Sequence, residues 1–600
     1  MVPRPVKGKV LFLSIVLGLL VPFPCEEGRA LWVVRFRLTS PELIQQVTSE
    51  AKRAGFNALF VQVYGRGDAY WRSTFVPRSE ALEGSPADFD PLGEVLRLAR
   101  GLGLGVHAWL NVYYVWPYPP PLPKAPEHIV NRHPEWLIQD EEGRTLLDYS
   151  PAERRREPIE GLFLDPSNPS VMDYFLRVVK EVTEGYPVDG VHLDFIRYPG
   201  PQWGYNPRAV EDFKRRWTVD PRLLDPRTRR PDPSLLLRED IPFCLLWSYY
   251  YQSLWAEHRS RYVTRLVEAV SRFLRRRHPE MVLSAAVLPD PHRAYFERGQ
   301  DWGSWLERGL LDVAVPMAYT GDLCRVKAQM EAAIDRSLHG TVFAGLGAWH
   351  KPPEVIVEEV RSLRRMGVKG FSYFSWQGMK EQRPDYLSQI ASALHSKGAR
   401  WPKAIHNELS SSAPKGFMAL LKKQTFSSRE FERLQRPLER RIRSLKPILQ
   451  AITERLYPKA LPRDGDTVEI PPRVEFEAIF RYIHPEDCPC TRREALTLLK
   501  EARKRIEQGE DFLRLAKQMG GLRTGQLFLL RGADLAVVLW GLKDGQLSPV
   551  LELPDGYALF RVTDHHPPER RPFGELPWSL KRVVFLERLS SLVVTYLTPK

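Results

Sequence analysis

"DGVHLDFIRYPG", residues 189–200, begins as a buried β-strand and then stops behaving like one. Val191 and Leu193 suit a core, yet Asp194 stands where another apolar residue would extend the strand. Arg197 and Tyr198 follow before Pro199 ends it. Alternate residues of a strand share a face, so His192 and Asp194 point the same way. A carboxylate closing an apolar strand makes sense if the strand's end opens onto a site.

The flanking chain repeats this unit. "ALWVVRF" (30–36) is followed by "SPELIQQVTSEAKRAG", where Ser40 is a natural N-cap and Gly55 a natural stop. "NALFVQVYGRGDAYW" (57–71) leads to the helix "PLGEVLRLARGLG". "GVHAWLNVYYV" (105–115) precedes a Pro-rich insertion through about residue 160, then the helix "PSVMDYFLRVVKEVTEG" and the opening stretch. Four more strands follow: "MVLSAAVLPD" (281–290), "LLDVAVPMAYTGD" (310–322), "GTVFAGLGAWH" (340–350) and "VKGFSYFSW" (368–376). Eight strands alternating with helical segments predict an α/β fold, a (β/α)8 TIM-type barrel. An open doubly wound sheet would carry a Gly-rich phosphate turn after its first strand, and "WVVRFRLTSPE" has none. Long aromatic loops follow the strands while short turns follow the helices, the asymmetry expected of a barrel with its site at the strand C-termini.

The same alternation assembles a rim. Asn111 and Trp109 share a face of the third strand, and Arg66 and Asp68 lie just past the second. Asp290, Tyr319, Asp322 and Trp376 lie at or beyond later strand ends. Carboxylates and amides bind hydroxyls, and aromatic rings cover the apolar face of a sugar. Glycoside hydrolysis needs two carboxylates, one protonating the leaving oxygen and one acting as nucleophile or base. Asp194 is the leading catalytic candidate, with Asp68, Asp290 or Asp322 as its partner. The substrate-facing set is Arg66, Trp109, Asn111, His192, Arg197, Tyr198, Tyr319 and Trp376. Against this stand plainer readings: His107 and His192 as hydrogen-bonded core residues, Trp109 as barrel filling, and Asp68 after Gly67 as a turn former. Asp189, at the opposite rim, reads as a turn or cap residue.

Lys7 and Lys9 precede an apolar run from Val10 to Phe23, and Gly28 and Ala30 flank a cleavage site. A run of about 14 residues is short for a spanning helix and suits a signal peptide. The expected protein is exported, periplasmic or extracytoplasmic, and anchored if the signal is uncleaved. No membrane span is expected beyond that segment. A net charge of +14 favours anionic surroundings without a nucleic-acid motif, so no nucleic-acid partner is expected. Five cysteines make no disulfide scaffold. The "CPC" of Cys488 and Cys490 lacks the further ligands a zinc site needs, so no metal or cofactor is expected.

Four segments result: a signal peptide at 1–30, the barrel at 31–398, a basic amphipathic helical segment and linker at 399–471, and a further domain with a closing helix at 472–600. The arginine-rich helix of the third segment reads as a solvated or wall-facing surface.

"RALWVVRFRL", "GFNALFVQVYGRGDAYWRS", "GLGVHAWLNVY", "HPEWL" and "VDGVHLDFIRYPG" resemble the glycosyl-hydrolase-like family 10, over roughly residues 29–395. That resemblance implies a barrel linked to cleavage of cell-wall or exported glycans, with Asp194 in its site. "GEDFLRLAKQ", "TGQLFLL" and "LKDGQLSPVLELPDGYALFRV" resemble the parvulin peptidyl-prolyl isomerases. That family's two strand histidines correspond to Tyr482 and Ala558, and His484 lies two residues away. The resemblance therefore implies a peptide-holding module with a polypeptide partner rather than an active isomerase. The alternative is a non-catalytic glycan-binding scaffold or exported foldase.

Overall fold

The computed structural model describes residues 25–597, apart from 119–120, 157–158, 230–232, 239–240, 338–340, 397, 402–421, 423–427, 484–488, 530–533 and 554–555. The apolar run of the expected signal peptide, His484 and Cys488 therefore lie outside the described residues.

One parallel sheet carries the strands β1 (Gly28–Val33), β2 (Ala58–Tyr64), β3 (Gly105–Asn111), β4 (Gly190–Asp194), β5 (Val282–Val287) and β6 (Val313–Pro316). It is completed by β7, in two pieces (Thr341–Val342 and Ala344–Leu346), and β8 (Gly370–Tyr373). The break at Phe343 lets β7 switch partners. Thr341 pairs with Val313 of β6 and Ala344 with Phe371 of β8, which closes the barrel. All eight expected strands are present. The Phe343 ring occupies the space where side chains on Gly28 and Gly370 would stand, so both positions need glycine.

Helices follow the strands because the sequence caps them. Ser40, Asp90 and Asn168 accept backbone N–H bonds at the starts of α1 (Pro41–Arg53), α2 (Pro91–Gly101) and α3 (Pro169–Gly185), each opened by proline. The 35-residue helix α4 (Phe243–Arg277) follows β4 after a long connection.

Two boundaries move. Residues 28–30, placed by the sequence in the signal segment, are the first half of β1, and Cys25–Glu26 pairs with Ala399–Arg400. Glu27 bonds Arg29 and Arg364, both at 2.8 Å. Past Arg400, Trp401 packs against Phe60, His107 and Phe343 at the floor of the barrel. Both ends of the barrel segment are therefore structural parts of it.

The basic segment is not simply a solvated surface. Leu438, Leu445 and Leu449 of α5 (Ser428–Ala451) are buried in a second core with Trp247 of α4, Tyr457, and Phe585 and Leu589 of the closing helix α6 (Trp578–Leu597). Between them lies a four-stranded antiparallel sheet in the order 522–528, 473–482, 556–566, 547–553. Tyr482 pairs with Gly556 and Phe480 with Ala558. Among the described residues no helix is long and apolar enough to cross a membrane.

His107 and His192 sit inside the barrel. His192 Nδ1 is hydrogen-bonded to Ser284 Oγ at 2.8 Å, and its ring stacks on Phe60 at 4.2 Å. Burial lowers the pKa of His107 to about 3 and that of His192 well below the ordinary value of 6.5. Both stay neutral in the fold but take up protons near pH 6.5 once unfolded. Their contribution is therefore present above pH 6.5 and lost as pH falls towards 3. Denaturant unfolding between pH 6.5 and 4.5 should show stability falling by about 1.4 kcal/mol per pH unit for each histidine. His258 and His395, which burial also lowers to about 4, add to the same slope. His107→Gln should reduce it by about 1.4 kcal/mol per pH unit, and an unchanged slope would place the pH sensitivity elsewhere.

Candidate active site

The register of two neighbouring strands builds the centre of the rim: Asn111 at the end of β3 lies opposite Asp194 at the end of β4. Trp109 Nε1 donates to Asn111 Oδ1 at 3.0 Å and to Asp194 Oδ2 at 3.2 Å. Asn111 Nδ2 donates to the Gly65 carbonyl at 2.6 Å, tying this pair to the β2 loop. The chain then turns sharply. Phe195 takes a left-handed φ of 48°, and its N–H donates to Asp194 Oδ1 at 2.7 Å. A bulky residue in that conformation is a strained feature typical of functional sites.

Asp194 is only 7% exposed. Burial raises its pKa to about 6, against the Phe195 N–H, Arg197 and the Trp109 indole, which favour the anion; the negative charge of Glu160 adds to the rise. Glu160 comes from the Pro-rich insertion, and its carboxylate meets Arg197 Nη2 at 2.7 Å. Burial alone would raise Glu160 as well, but Arg197 and Arg298 outweigh it and hold the carboxyl below the ordinary range. Two carboxyl groups near one arginine are thus pushed in opposite directions.

The three expected partner carboxylates have other duties. Asp68 accepts from Arg66 Nε at 3.0 Å and Ser79 Oγ at 2.6 Å, clamping the β2 loop, while Arg66 lies over the Trp116 ring at 4.3 Å. Asp290 caps the helix Pro291–Arg298 through the Arg293 N–H. Asp322 caps Leu323–Asp335 through Cys324 and Arg325 and accepts from Thr491 Oγ1 of the C-terminal region.

The expected sugar-facing residues divide as well. Tyr319 is half-buried; burial and the nearby Asp194 charge push its hydroxyl pKa up. Its ring meets Trp349 at 4.8 Å and Phe374 at 6.0 Å. Trp349 is 38% exposed, so it and Tyr319 form an aromatic face beside the carboxylate. Trp376 does not contribute: it is 3% exposed and donates its indole N–H to Glu50 behind the rim. Tyr198 is fully buried under Arg259, and His192 belongs to the barrel interior. Trp109 holds Asp194 as a positioning residue, and Asn111 in turn holds the Trp109 indole.

Glu160, Trp349 and Arg298 were missed by the sequence reading. Trp349 had a signal, since it ends the seventh strand-like run. Glu160 and Arg298 had none, because both reach the rim from loop and helix positions that strand alternation does not order. Among the described residues no three His, Cys, Asp or Glu side chains converge as metal ligands.

Asp68→Ala removes the acceptor of both Arg66 and Ser79, leaving the half-buried Arg66 with Glu80 at 4.0 Å, and should destabilise the protein by about 2 kcal/mol in denaturant unfolding. An effect below about 0.5 kcal/mol would show that Asp68 has no structural duty.

The sequence profile of the family described as glycosyl hydrolase-like 10 matches residues 27–341. Among individual proteins, the chain is 31% identical over 176 residues to Glycosyl hydrolase DigH of Escherichia coli K12, covering 27% of this chain and 36% of DigH. It is 27% identical over 158 residues to Glycosyl hydrolase YngK of Bacillus subtilis, covering 26% of this chain and 28% of YngK. The chain thus matches well under half the length of either relative. A solved structure with some likeness is the PgaB (BpsB) glycoside hydrolase domain from Bordetella bronchiseptica, at 16% identity and a TM-score of 0.41, covering 61% of this chain and 98% of that one. With the family profile spanning more than half of its residues, and the closed barrel bearing a carboxylate at the rim, the chain belongs to the glycosyl hydrolase-like 10 family.

Proposed function

We propose that the protein is an exported glycoside hydrolase acting on a bacterial cell-wall or other exported polysaccharide, with Asp194 as the proton donor and Glu160 as the second carboxylate. The observation that carries this reading is the opposite tuning of the two groups. Asp194 holds a proton up to about pH 6, and Glu160 is ionised below the ordinary carboxylate range. Such a split separates an acid from a base or nucleophile. Asp194 gives its proton to the glycosidic oxygen as the bond to the anomeric carbon breaks. Glu160 supplies the negative charge facing that carbon or its attacking water. Trp349 and Tyr319 offer the face on which a pyranose ring would stack. Export rests on the basic and apolar N-terminal run, and the wall-type substrate on the family and the net charge.

The C-terminal region is proposed to be a parvulin-like module that holds a polypeptide. What supports this is the order of its motifs and the closeness, on adjacent strands, of the two positions where that family carries histidines, here Tyr482 and Ala558. With neither histidine present, the full-length chain should accelerate prolyl isomerisation of a test peptide by less than about tenfold in a protease-coupled assay. A rate typical of an active isomerase would refute the assignment of those positions.

Asp194→Asn should abolish product release from purified glycan strands, a loss of at least about 100-fold, since acid assistance alone is worth that much. In the wild type, activity should fall as pH rises through about 6, where Asp194 loses its proton. The sign for stability runs the same way. A folded pKa raised from 3.8 makes the proton stabilising below 3.8, and that contribution is lost through pH 6. The variant should therefore melt no lower than wild type at pH 7. A variant that cleaves at the wild-type rate removes Asp194 from the chemistry; a variant that melts much lower makes it structural. If neither protein releases product from any glycan, a non-catalytic glycan-binding scaffold is the better reading.

A further inference from the structure

The two arginines that hold Glu160 ionised, Arg197 and Arg298, keep buried donors that have no hydrogen-bond partner. Arg298 ends the helix Pro291–Arg298, and its carbonyl accepts the Tyr198 N–H at 2.9 Å, which seats it against the turn that follows Asp194. Its Nε and Nη1 are buried with no hydrogen-bond partner. Its nearest charged neighbours are Arg197, Glu160, Glu297 and Arg293. Glu297 is bonded by both Arg293 Nε and Nη2 at 3.1 Å, and Glu160 is bonded by Arg197. Arg197 itself keeps a buried Nε without a partner.

When Asp194 carries its proton, two guanidinium groups therefore share one carboxylate, and several of their N–H donors are dry and unmet. An unsatisfied buried donor is costly, more so on a cation. Burial first, and then the charge of Arg197, lower the Arg298 pKa to about 10, the sign of a cation held out of water near another. A group that carries negative charge and several acceptor oxygens would relieve both deficits, and a planar carboxylate matches the guanidinium fork.

We propose that Arg298 and Arg197 form an anion subsite beside Asp194 that receives a carboxylate carried by the glycan next to the bond to be cleaved. The inference rests on the glycosidase reading of the same rim. It narrows the substrate to acidic glycans and makes Arg298 a specificity determinant rather than a catalytic residue. The carboxylate could come from an ether-linked lactyl substituent or from the ring of a uronic acid.

Calorimetric titration of the full-length Asp194→Asn protein separates these, using two ligand pairs that differ by the acid. One pair is the N-acetylglucosamine–N-acetylmuramic acid disaccharide and diacetylchitobiose; the other is cellobiouronic acid and cellobiose. The acidic member of at least one pair should bind at least about tenfold tighter than its neutral partner, the advantage of a charge-assisted contact. Adding Arg298→Met should reduce that ratio to below about twofold, and Arg298→Lys should keep part of it as a point charge. A melting curve on each variant verifies the fold. The muramic pair alone responding identifies a lactyl group; the uronate pair alone identifies a ring carboxylate. Ratios near one in both pairs, or a ratio unaffected by Arg298→Met, would overturn the subsite. If neutral sugars bind as well as acidic ones while the wild type still cleaves glycan through Asp194, the subsite falls and the glycosidase reading stands. If no sugar binds and no glycan is cleaved, both fall.

Discussion

The indole N–H of Trp109, shared between Asn111 Oδ1 and Asp194 Oδ2, is the contact on which the rim depends. It exists because β3 and β4 pair with Asn111 opposite Asp194, and because the Trp109 ring is itself wedged in the barrel. Trp32 meets that ring edge-on at 4.6 Å, and Phe374 does so at 6.1 Å. A carboxylate held by one indole and one backbone N–H is oriented but only partly compensated for its burial. That is why its pKa is raised to about 6.

The barrel is completed from both ends. Phe343 fills the space vacated by Gly28 and Gly370, and Trp401 packs beneath it, so the floor is apolar while the rim is charged. His107 and His192 lie between these layers as neutral rings. Asp194 stands at the opposite, loop end of the barrel.

The C-terminal region is docked to the Pro-rich insertion that carries Glu160. Glu141 of that insertion meets Arg229 at 2.6 Å and Arg582 of α6 at 2.7 Å. Glu142 accepts the N–H groups of Trp578 and Ser579, capping the start of α6 with negative charge where the helix dipole favours it. The same insertion delivers Glu160 to Arg197. The closing helix and Glu160 are therefore held by one loop.

What the sequence determined by itself is whatever depends on local order along the chain. Strand alternation placed His192 and Asp194 on one face, capping residues marked the helix starts, and eight repeated units specified the barrel. Each of these is governed by period and by nearest-neighbour hydrogen bonding. The tertiary structure decided which polar residues are free. Asp68, Asp290 and Asp322 have the residue type and strand-end position of catalytic groups, but one is clamped by Arg66 and Ser79 and two cap helices. Trp376 and Tyr198 turn away from the rim, whereas Trp349, Glu160 and Arg298 reach it. These outcomes depend on how a long insertion folds back and where a short helix ends. Both are set by contacts between residues far apart in the chain, for which sequence spacing carries no signal, and of the three residues that reach the rim only Trp349, near the end of a strand-like run, was legible in it.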